Sequence, residues 1–306
     1  MKEISILEIE NIKIGNAENQ EAKTGVTAIL CETCAPCGVD IRGGGPASRE
    51  TPLLSPLAAS TGVHAVLLCG GSAFGLDAAG GAMRHLEEKD IGFDTGITKV
   101  PLVCASSIFD LGLGDKNVRP DFNMGYRACV NAEAGNYQNG SFGAGCGATV
   151  GKFLGPEFAL KSGIGSFAVQ LGTLKVGAIV CVNALGDIYQ NGKIVAGLLS
   201  EDKRGFRSTC DEMLKSIQRV DNPFVGNTTI GVVVTNGKFS KSEMNKIAQM
   251  AHNGLVRCIS PVNTAADGDS IYAMSVGDVN ADVNVTGTIA AEVGKTPQGW
   301  NAGIFS

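Results

Sequence analysis

Runs of apolar positions first divide the chain into segments of strand length. Residues 63–69 and 176–183 are such runs, and residues 100–111 form a further strand candidate. Residues 229–235 (Thr-Ile-Gly-Val-Val-Val-Thr) are rich in β-branched side chains, which favours a buried strand. These segments predict the strands of the core.

Helical spacing of apolar positions is found between these strands. Residues 74–89 follow a glycine turn and have apolar positions at helical spacing, while residues 202–219 are polar and predict a surface helix. Residues 242–255 predict an amphipathic helix with Ser242 as its N-cap. Residues 24–56 end in a glycine-rich and turn-rich stretch that we do not expect to be regular. The alternation of strands and helices favours an α/β architecture.

Composition narrows the class of protein. The chain has 306 residues, of which 44% are hydrophobic and 18% charged, enough apolar material for one large core, and we predict a single domain over residues 1–306. The net charge of −5 argues against a nucleic-acid partner. No run of about 18 apolar residues predicts a membrane span, and the N-terminus lacks the pattern of a signal peptide. Together with ten cysteines, which we interpret as reduced thiols, these features predict a cytoplasmic protein.

Three of the cysteines are spaced as a metal-binding motif would be. Cys31, Cys34 and Cys37 form C-x-x-C-x-x-C, but the next cysteine, Cys69, lies inside an apolar run rather than beside a proline. We interpret all four as ordinary thiols and predict neither a metal site nor a cofactor. A non-enzymatic protein that binds a metal or acts in redox chemistry through these thiols is kept as an alternative.

The dipeptide Asn227-Thr228 stands immediately before the β-branched run, with Gly226 ahead of it. A threonine at a free N-terminus is an activated nucleophile, because its own α-amine can remove the hydroxyl proton. The bond before Thr228 must break to expose that amine, and a flexible Gly226 would tolerate strain there. By itself, the dipeptide favours the plain start of a strand after a turn.

The wider pattern resembles a known family. The segments that carry the resemblance run in order along nearly the whole chain: Val39-Asp-Ile-Arg-Gly-Gly44 with Arg49-Glu-Thr51, Gly70-Gly-Ser-Ala-Phe-Gly-Leu-Asp-Ala78, residues 101–111, Gly143-Ala-Gly-Cys-Gly-Ala-Thr-Val-Gly-Lys152, Val182-Asn-Ala184, and Asn227-Thr-Thr229. The chain is similar to the self-processing aminopeptidases and amidases of N-terminal-nucleophile type. This family includes L-aminopeptidase D-amidase/D-esterases, β-aminopeptidases and nylon-oligomer hydrolases.

The resemblance implies a fold, a cleavage and a reaction. We expect a four-layer αββα sandwich and cleavage between Asn227 and Thr228 into fragments 1–227 and 228–306. The new N-terminal Thr228 would then attack small peptides or amide oligomers, and Asn183 would bind the developing oxyanion. The resemblance also implies a homo-oligomer and requires no cofactor. An ornithine-acetyltransferase-like acyl transferase is an alternative on a related fold, although the Ala-Thr-Met-Leu run of those enzymes is missing here.

Charged residues complete the expected site. Lys152 matches a lysine of the threonine-type members, whereas a phosphate-loop interpretation fails because Cys146 and Phe153 break that pattern. Asp267 and Asp269 stand where nylon-oligomer-hydrolase-like members carry two acids, and could hold the Thr228 ammonium, orient Lys152 or bind a substrate amine. A solvated lysine and a plain Asp-Gly-Asp turn are the competing interpretations.

One position departs from the family pattern. Many relatives have tyrosine in an Ile-Tyr-Asp-Leu segment, where its hydroxyl is thought to assist the nucleophile, but this chain has Phe109. Phe109 can shape a substrate pocket but cannot donate a hydrogen bond. We expect Phe109 and Gly145 to line that pocket.

Overall fold

The protein is described by a computed structural model that covers residues 1–217 and 226–295. The five α-helices in these ranges are Ala78–Glu87 (α1), Phe122–Glu133 (α2), Thr209–Lys215 (α3), Lys241–Val256 (α4) and Val283–Val293 (α5). The strands are Lys2–Ile4 (β1), Lys13–Asn19 (β2), Thr24–Ala35 (β3), Cys37–Ile41 (β4), Ala47–Arg49 (β5), Val63–Cys69 (β6), Phe93–Asp94 (β7), Lys99–Val100 (β8), Val103–Ser107 (β9), Thr149–Val150 (β10), Leu160–Lys161 (β11), Ile164–Leu171 (β12), Leu174–Asn183 (β13), Asp187–Gln190 (β14), Lys193–Ala196 (β15), Thr228–Gly237 (β16), Ile259–Ser260 (β17) and Ser270–Val279 (β18). Short 3₁₀ turns lie at Ile6–Glu8, Thr51–Leu54, Ser72–Asp77, Gly143–Gly147 and Pro156–Phe158.

Two sheets form the centre of the fold. The six-stranded sheet has the order β1-β12-β13-β16-β18-β4, and the five-stranded sheet has the order β2-β3-β6-β9-β5. Within the six-stranded sheet, β16 pairs antiparallel with β13 and parallel with β18. The parallel pair is joined through α4, as a crossover connection requires.

Alternation of side chains along the strands explains the layers. In β16, Val232 points into the core between the two sheets, and its neighbour Val233 points into the core beneath α4 and α5. In β6, Val66 belongs to the core between the sheets and Leu67 to the core beneath α1 and α2. Every central strand is therefore apolar on both faces. The result is the predicted four-layer αββα sandwich.

Several predicted elements are confirmed and others need correction. Strand 63–69 is β6, strand 176–183 lies within β13, and strand 229–235 lies within β16. The strand predicted over residues 100–111 is shorter and covers only β9, because the following residues turn around the buried Asp110. The turn-rich end of residues 24–56, expected to be irregular, contains only the short strand β5 and the start of the 3₁₀ turn Thr51–Leu54, while β3 and β4 precede it.

The helix predictions were right in place but not in their bounds. Residues 74–89 begin as a 3₁₀ turn before α1. Helix α4 starts earlier than predicted, because Ser240 rather than Ser242 caps it and forms a capping box with Glu243. Of residues 202–219, only α3 is helical; Asp202 instead accepts hydrogen bonds from Ser200 and Arg204 in a turn. Residues 218 and 219 lie outside the described part of the chain.

Candidate active site

The site lies at one end of the six-stranded sheet, where three strands begin or end. Thr228 is the first residue of β16 and pairs with Asn183, the last residue of β13. Because β18 runs parallel to β16, the residues that precede it lie beside the start of β16. Asp267 bridges to Asn227 in this way, and Asp269 lies beside Thr229. The pairing thus explains how residues about forty positions apart in sequence meet.

The Asn227-Thr228 junction is buried, and its carbonyl oxygen is held from two sides. The hydroxyl of Thr228 donates to the carbonyl oxygen of Asn227, directly across the bond predicted to break. The backbone N–H of Gly268 donates to the same oxygen at 2.8 Å. A Cβ on Gly268 would lie 2.8 Å from Thr228 Oγ1, so a glycine is needed for this close approach.

A second carbonyl, that of Gly226, is held by the two side chains expected to serve catalysis. Asn183 Nδ2 donates to Gly226 O at 3.4 Å and to Phe109 O at 3.0 Å. Lys152 Nζ donates to Gly226 O at 3.3 Å and to Asn183 O at 2.9 Å. The backbone N–H of Thr149 donates to Asn183 Oδ1 at 3.0 Å, which fixes the orientation of the amide.

Lys152 is brought into this site by a glycine turn. Gly151 has φ of +69° and packs so closely against Gly197 and Leu198 that a Cβ would lie 2.0 Å from the Leu198 nitrogen. Burial lowers the pKa of Lys152 to about 7, although the negative charges of Asp267 and Asp110 oppose the shift. Lys152 is therefore a buried amine that changes charge near neutral pH, rather than the solvated surface lysine of the competing interpretation.

The two acidic residues are fixed by backbone donors. Asp269 accepts from Thr229 N at 2.6 Å through Oδ1 and from Asn263 N at 2.9 Å through Oδ2. Asp267 accepts from the backbone N–H and the hydroxyl of Thr264, at 2.8 and 2.6 Å. Burial, with the charge of Asp267 second, raises the pKa of Asp269 to about 7. The backbone of residues 42–45 hydrogen-bonds to this loop, so the glycine-rich stretch supports it.

Sequence reasoning gave no site role to two groups that the structure brings into or beside the site. Gly268 acts through its backbone N–H, and a backbone donor leaves no signal in residue type. Asp110 is buried, accepts from Gly71 N at 2.7 Å and from Thr24 Oγ1 at 2.8 Å, and its charge acts on Lys152. Asp110 could have been singled out from its position in residues 101–111, a segment that the chain shares with the family.

The two expected pocket residues are placed differently. The Phe109 ring packs directly against Gly226 and so lies at the site. Gly145 lies in the 3₁₀ turn 143–147 and packs against the backbone of Ile164 and Gly140, near the start of β12. Its carbonyl accepts from Lys161 Nζ at 3.0 Å. These contacts give Gly145 a packing role, and its place in a substrate pocket stays a prediction.

The three cysteines of the motif lie in β3 and β4. Cys31 and Cys37 are buried, and burial raises the pKa values of both thiols and of Cys34 between them. Within residues 1–217 and 226–295, no three His, Cys, Asp or Glu side chains are grouped so as to hold a metal ion. None of the helices in those ranges is long and apolar enough to cross a membrane.

Known proteins share both the sequence pattern and the fold. The sequence profile of Peptidase family S58 matches residues 5–296. An uncharacterized aminopeptidase of Mycobacterium leprae (strain TN) is 35% identical over 312 residues, which cover 96% of this chain and 83% of the relative. A 6-aminohexanoate-oligomer endohydrolase of Agromyces sp. (strain KY5R) is 29% identical over 311 residues, which cover 95% of this chain and 84% of that enzyme.

A solved structure agrees in fold. The L-aminopeptidase D-Ala-esterase/amidase of Ochrobactrum anthropi, described as a variant of the Ntn hydrolase fold, superposes with a TM-score of 0.69 at 18% identity. The match covers 95% of this chain and 83% of that structure. The predicted architecture and the resemblance are thereby confirmed. The chain belongs to Peptidase family S58 and is a hydrolase of peptide or other amide bonds built on the Ntn hydrolase fold.

Proposed function

We propose that Thr228 cuts the bond that precedes it and then serves as the N-terminal nucleophile of an amide hydrolase. The observation that carries this proposal is the Thr228 hydroxyl held on the carbonyl oxygen of Asn227, with the Gly268 N–H on the same oxygen. When the hydroxyl attacks the carbonyl carbon, this oxygen gains negative charge. The Gly268 N–H is then already in place to stabilise it.

The cleavage needs one proton acceptor, and we assign that role to Lys152. Its low pKa makes a neutral amine available near pH 7. The Thr228 oxygen bonds to the Asn227 carbonyl carbon while its proton passes to Lys152. The bond between that carbon and the Thr228 nitrogen then breaks, and the nitrogen takes the proton back. Water hydrolyses the resulting ester, which leaves a carboxylate on Asn227 and a free amine and hydroxyl on Thr228.

In the cut enzyme the same hydroxyl would attack a substrate amide. The free α-amine of Thr228 would take the hydroxyl proton, as in other N-terminal nucleophiles. Asn183 Nδ2, oriented by Thr149, would donate to the oxyanion. The leaving amine departs with the proton, and water hydrolyses the acyl-enzyme. No step requires a cofactor.

The substrate class follows from the relatives named above. One is an aminopeptidase and the other hydrolyses oligomers of 6-aminohexanoate. Small peptides or amide oligomers are therefore the substrates we propose for this chain. Two neighbouring carboxyl groups, Asp267 and Asp269, support this class, because the ionised form of either can pair with a substrate ammonium.

Location and assembly are further parts of the proposal. All ten cysteines lie in the described ranges and none of them forms a disulfide there, which supports a reducing compartment such as the cytoplasm. The family resemblance supports a homo-oligomer, which light scattering on purified protein would measure. Cell fractionation would test the location.

Intact-mass spectrometry tests the cleavage itself. Wild-type protein should give two species, residues 1–227 and residues 228–306. Thr228→Ala should give one uncut species with no amidase activity, and Thr228→Ser, which keeps a hydroxyl, should still be cut. Uncut wild-type protein with full amidase activity would overturn the proposal.

A further inference from the structure

The carbonyl of Gly226 occupies the place that a substrate carbonyl needs. It accepts from Asn183 Nδ2 at 3.4 Å and from Lys152 Nζ at 3.3 Å. In the proposed reaction, Asn183 donates to the substrate oxyanion, and Lys152 takes the proton of the Thr228 hydroxyl during cleavage of the chain. Asn183 Nδ2 has two N–H groups, and the second donates to Phe109 O, so no N–H of this amide is left for another carbonyl oxygen while residues 226–227 stay in place. In the uncut chain, this segment therefore has the position of a bound substrate.

The residue that fills this position has no side chain, and Phe109 is the reason. A Cβ built on Gly226 would lie 2.3 Å from Phe109 Cγ, 2.5 Å from its Cβ and 2.7 Å from its Cδ2. Rotating the ring would not relieve this contact, because the Phe109 Cβ does not move with the ring. The Phe109 backbone is itself held, since its carbonyl oxygen accepts from Asn183 Nδ2 at 3.0 Å. The α-carbon of the group bound here is therefore restricted to CH₂ on that side.

We infer that Phe109 is a specificity-determining residue that limits the amidase to acyl groups with an unsubstituted α-carbon. This inference rests on the proposed function, in which Asn183 binds the carbonyl of the substrate. The preferred substrates are amides of glycine and of β- or ω-amino acids, which all carry CH₂ next to the carbonyl. Amides of L-α-amino acids with a side chain are excluded by the same contact that requires glycine at position 226.

The first test compares substrates on the cut wild-type enzyme. We choose p-nitroanilides of glycine, β-alanine, 6-aminohexanoate and L-alanine, which share one leaving group. One methyl group in a close-fitting pocket is worth about 10- to 200-fold in kcat/KM. We expect the three CH₂ substrates to exceed the L-alanine anilide by at least about tenfold. Equal kcat/KM values for the glycine and L-alanine anilides would overturn the inference.

Variants at position 109 show whether the Phe109 side chain causes the selection. Phe109→Gly removes the Cβ as well as the ring and should raise the ratio of L-alanine to glycine hydrolysis by about tenfold or more, whereas Phe109→Tyr keeps both and should keep the wild-type ratio. Phe93→Gly is the matched control, because Phe93 is an exposed phenylalanine in β7, outside the site. An unchanged ratio in a cut and folded Phe109→Gly enzyme would contradict the inference.

A second measurement does not depend on substrate hydrolysis. Gly226→Ala should slow cleavage of the chain by about tenfold or more, because its methyl group meets Phe109, and adding Phe109→Gly, which removes both the ring and the Cβ, should restore the rate. Intact mass against time follows both variants. If cleavage of Gly226→Ala is slow and Phe109→Gly does not restore it, the Phe109 side chain is not the obstacle and the inference fails. If wild-type protein is neither cut nor active on any anilide, the proposed function fails as well.

Discussion

Two buried carboxyl groups from different sheets act on one lysine. Asp110 follows β9 of the five-stranded sheet, and Asp269 precedes β18 of the six-stranded sheet. Burial raises the pKa of each, and the charges of both raise the pKa of Lys152 against its own burial. Burial and charge therefore do not distinguish them. What differs is the set of hydrogen bonds that each carboxyl group accepts.

Asp110 accepts from one fixed donor and one that can turn. Gly71 N is a backbone donor, whereas the Thr24 hydroxyl can rotate and either donate or accept. Asp269 accepts from two backbone N–H groups, Thr229 and Asn263, neither of which can become an acceptor. Asp269 thus ties the residue after the nucleophile to the loop before β18. Asp110 holds a turn that does not contain the nucleophile.

The largest effect is expected when the side-chain donor to one of the two carbonyls of the site is removed. Asn183→Ala removes the donor proposed for the substrate oxyanion and should lower kcat of the cut enzyme on the order of 100- to 1000-fold. Chain cleavage should be affected far less, because the Gly268 N–H, not Asn183, contacts the Asn227 oxygen. Intact-mass spectrometry of samples quenched at set times gives the rate of chain cleavage, and p-nitroanilide hydrolysis gives kcat. Equal losses in both would show that one donor serves both reactions.

Replacing Asp269 tests most directly whether the carboxyl groups of Asp269 and Asp110 differ in function. In Asp269→Asn, either orientation of the amide turns its NH₂ group towards a backbone N–H, so the start of β16 loses one anchor. We expect chain cleavage to slow on the order of 100-fold. Circular dichroism confirms that the variant is folded, and mass spectrometry gives the rate. A wild-type cleavage rate in this variant would remove the distinction between the two carboxyl groups.

The sequence predicts candidate reactive residues but not the groups that hold them in place. Thr228, Asn183 and Asp269 were predicted because their residue types fit the chemistry and the family pattern. The parallel pairing of β16 with β18 then explains why residues 267–269 reach Thr228. The Gly268 N–H could not be predicted, since every residue except proline has such a donor and only the fold gives it a direction.

The errors in predicted elements have a similar cause. Residues 202–208 have helical composition, but Asp202 and Ser200 bond to each other and to nearby backbone instead. At Gly226, the close approach of Phe109 leaves no room for a Cβ, and the sequence does not predict this contact. Both features depend on neighbours in space, and single-residue preferences do not contain that information.

The pH dependence of cleavage tests Lys152, whose pKa is raised by the charges of both carboxyl groups. As pH rises through about 7, Lys152 loses its proton and reaches the neutral form proposed as the proton acceptor for cleavage. The cleavage rate should fall by about tenfold for each pH unit below 7, for one ionisation, and level off above about pH 8. Rates from pH 5.5 to 8.5, measured on freshly purified uncut chain, give this profile.

A second buried lysine provides the control. Burial lowers the pKa of Lys161 to about 8, but its Nζ bonds to the carbonyl of Gly145, which packs near the start of β12. Lys161→Met should keep the wild-type profile, whereas Lys152→Met should lose cleavage across the whole range. A rate independent of pH between 5.5 and 8.5 would contradict the assignment of Lys152 as proton acceptor.

The smallest expected effect belongs to Asp110→Asn. The new NH₂ group can donate to the Thr24 hydroxyl, and its oxygen can still accept from Gly71 N. Because burial raises the folded-state pKa of Asp110, the charged form costs stability at neutral pH, and removing the charge offsets the weaker hydrogen bonds. We expect the free energy of unfolding in urea to change by less than about 1 kcal/mol. Asp110→Ala, which leaves the Gly71 N–H without its acceptor, should cost about 1–3 kcal/mol. A loss of that size in Asp110→Asn would mean that the charge of Asp110, and not only the hydrogen bonds that it accepts, stabilises the fold.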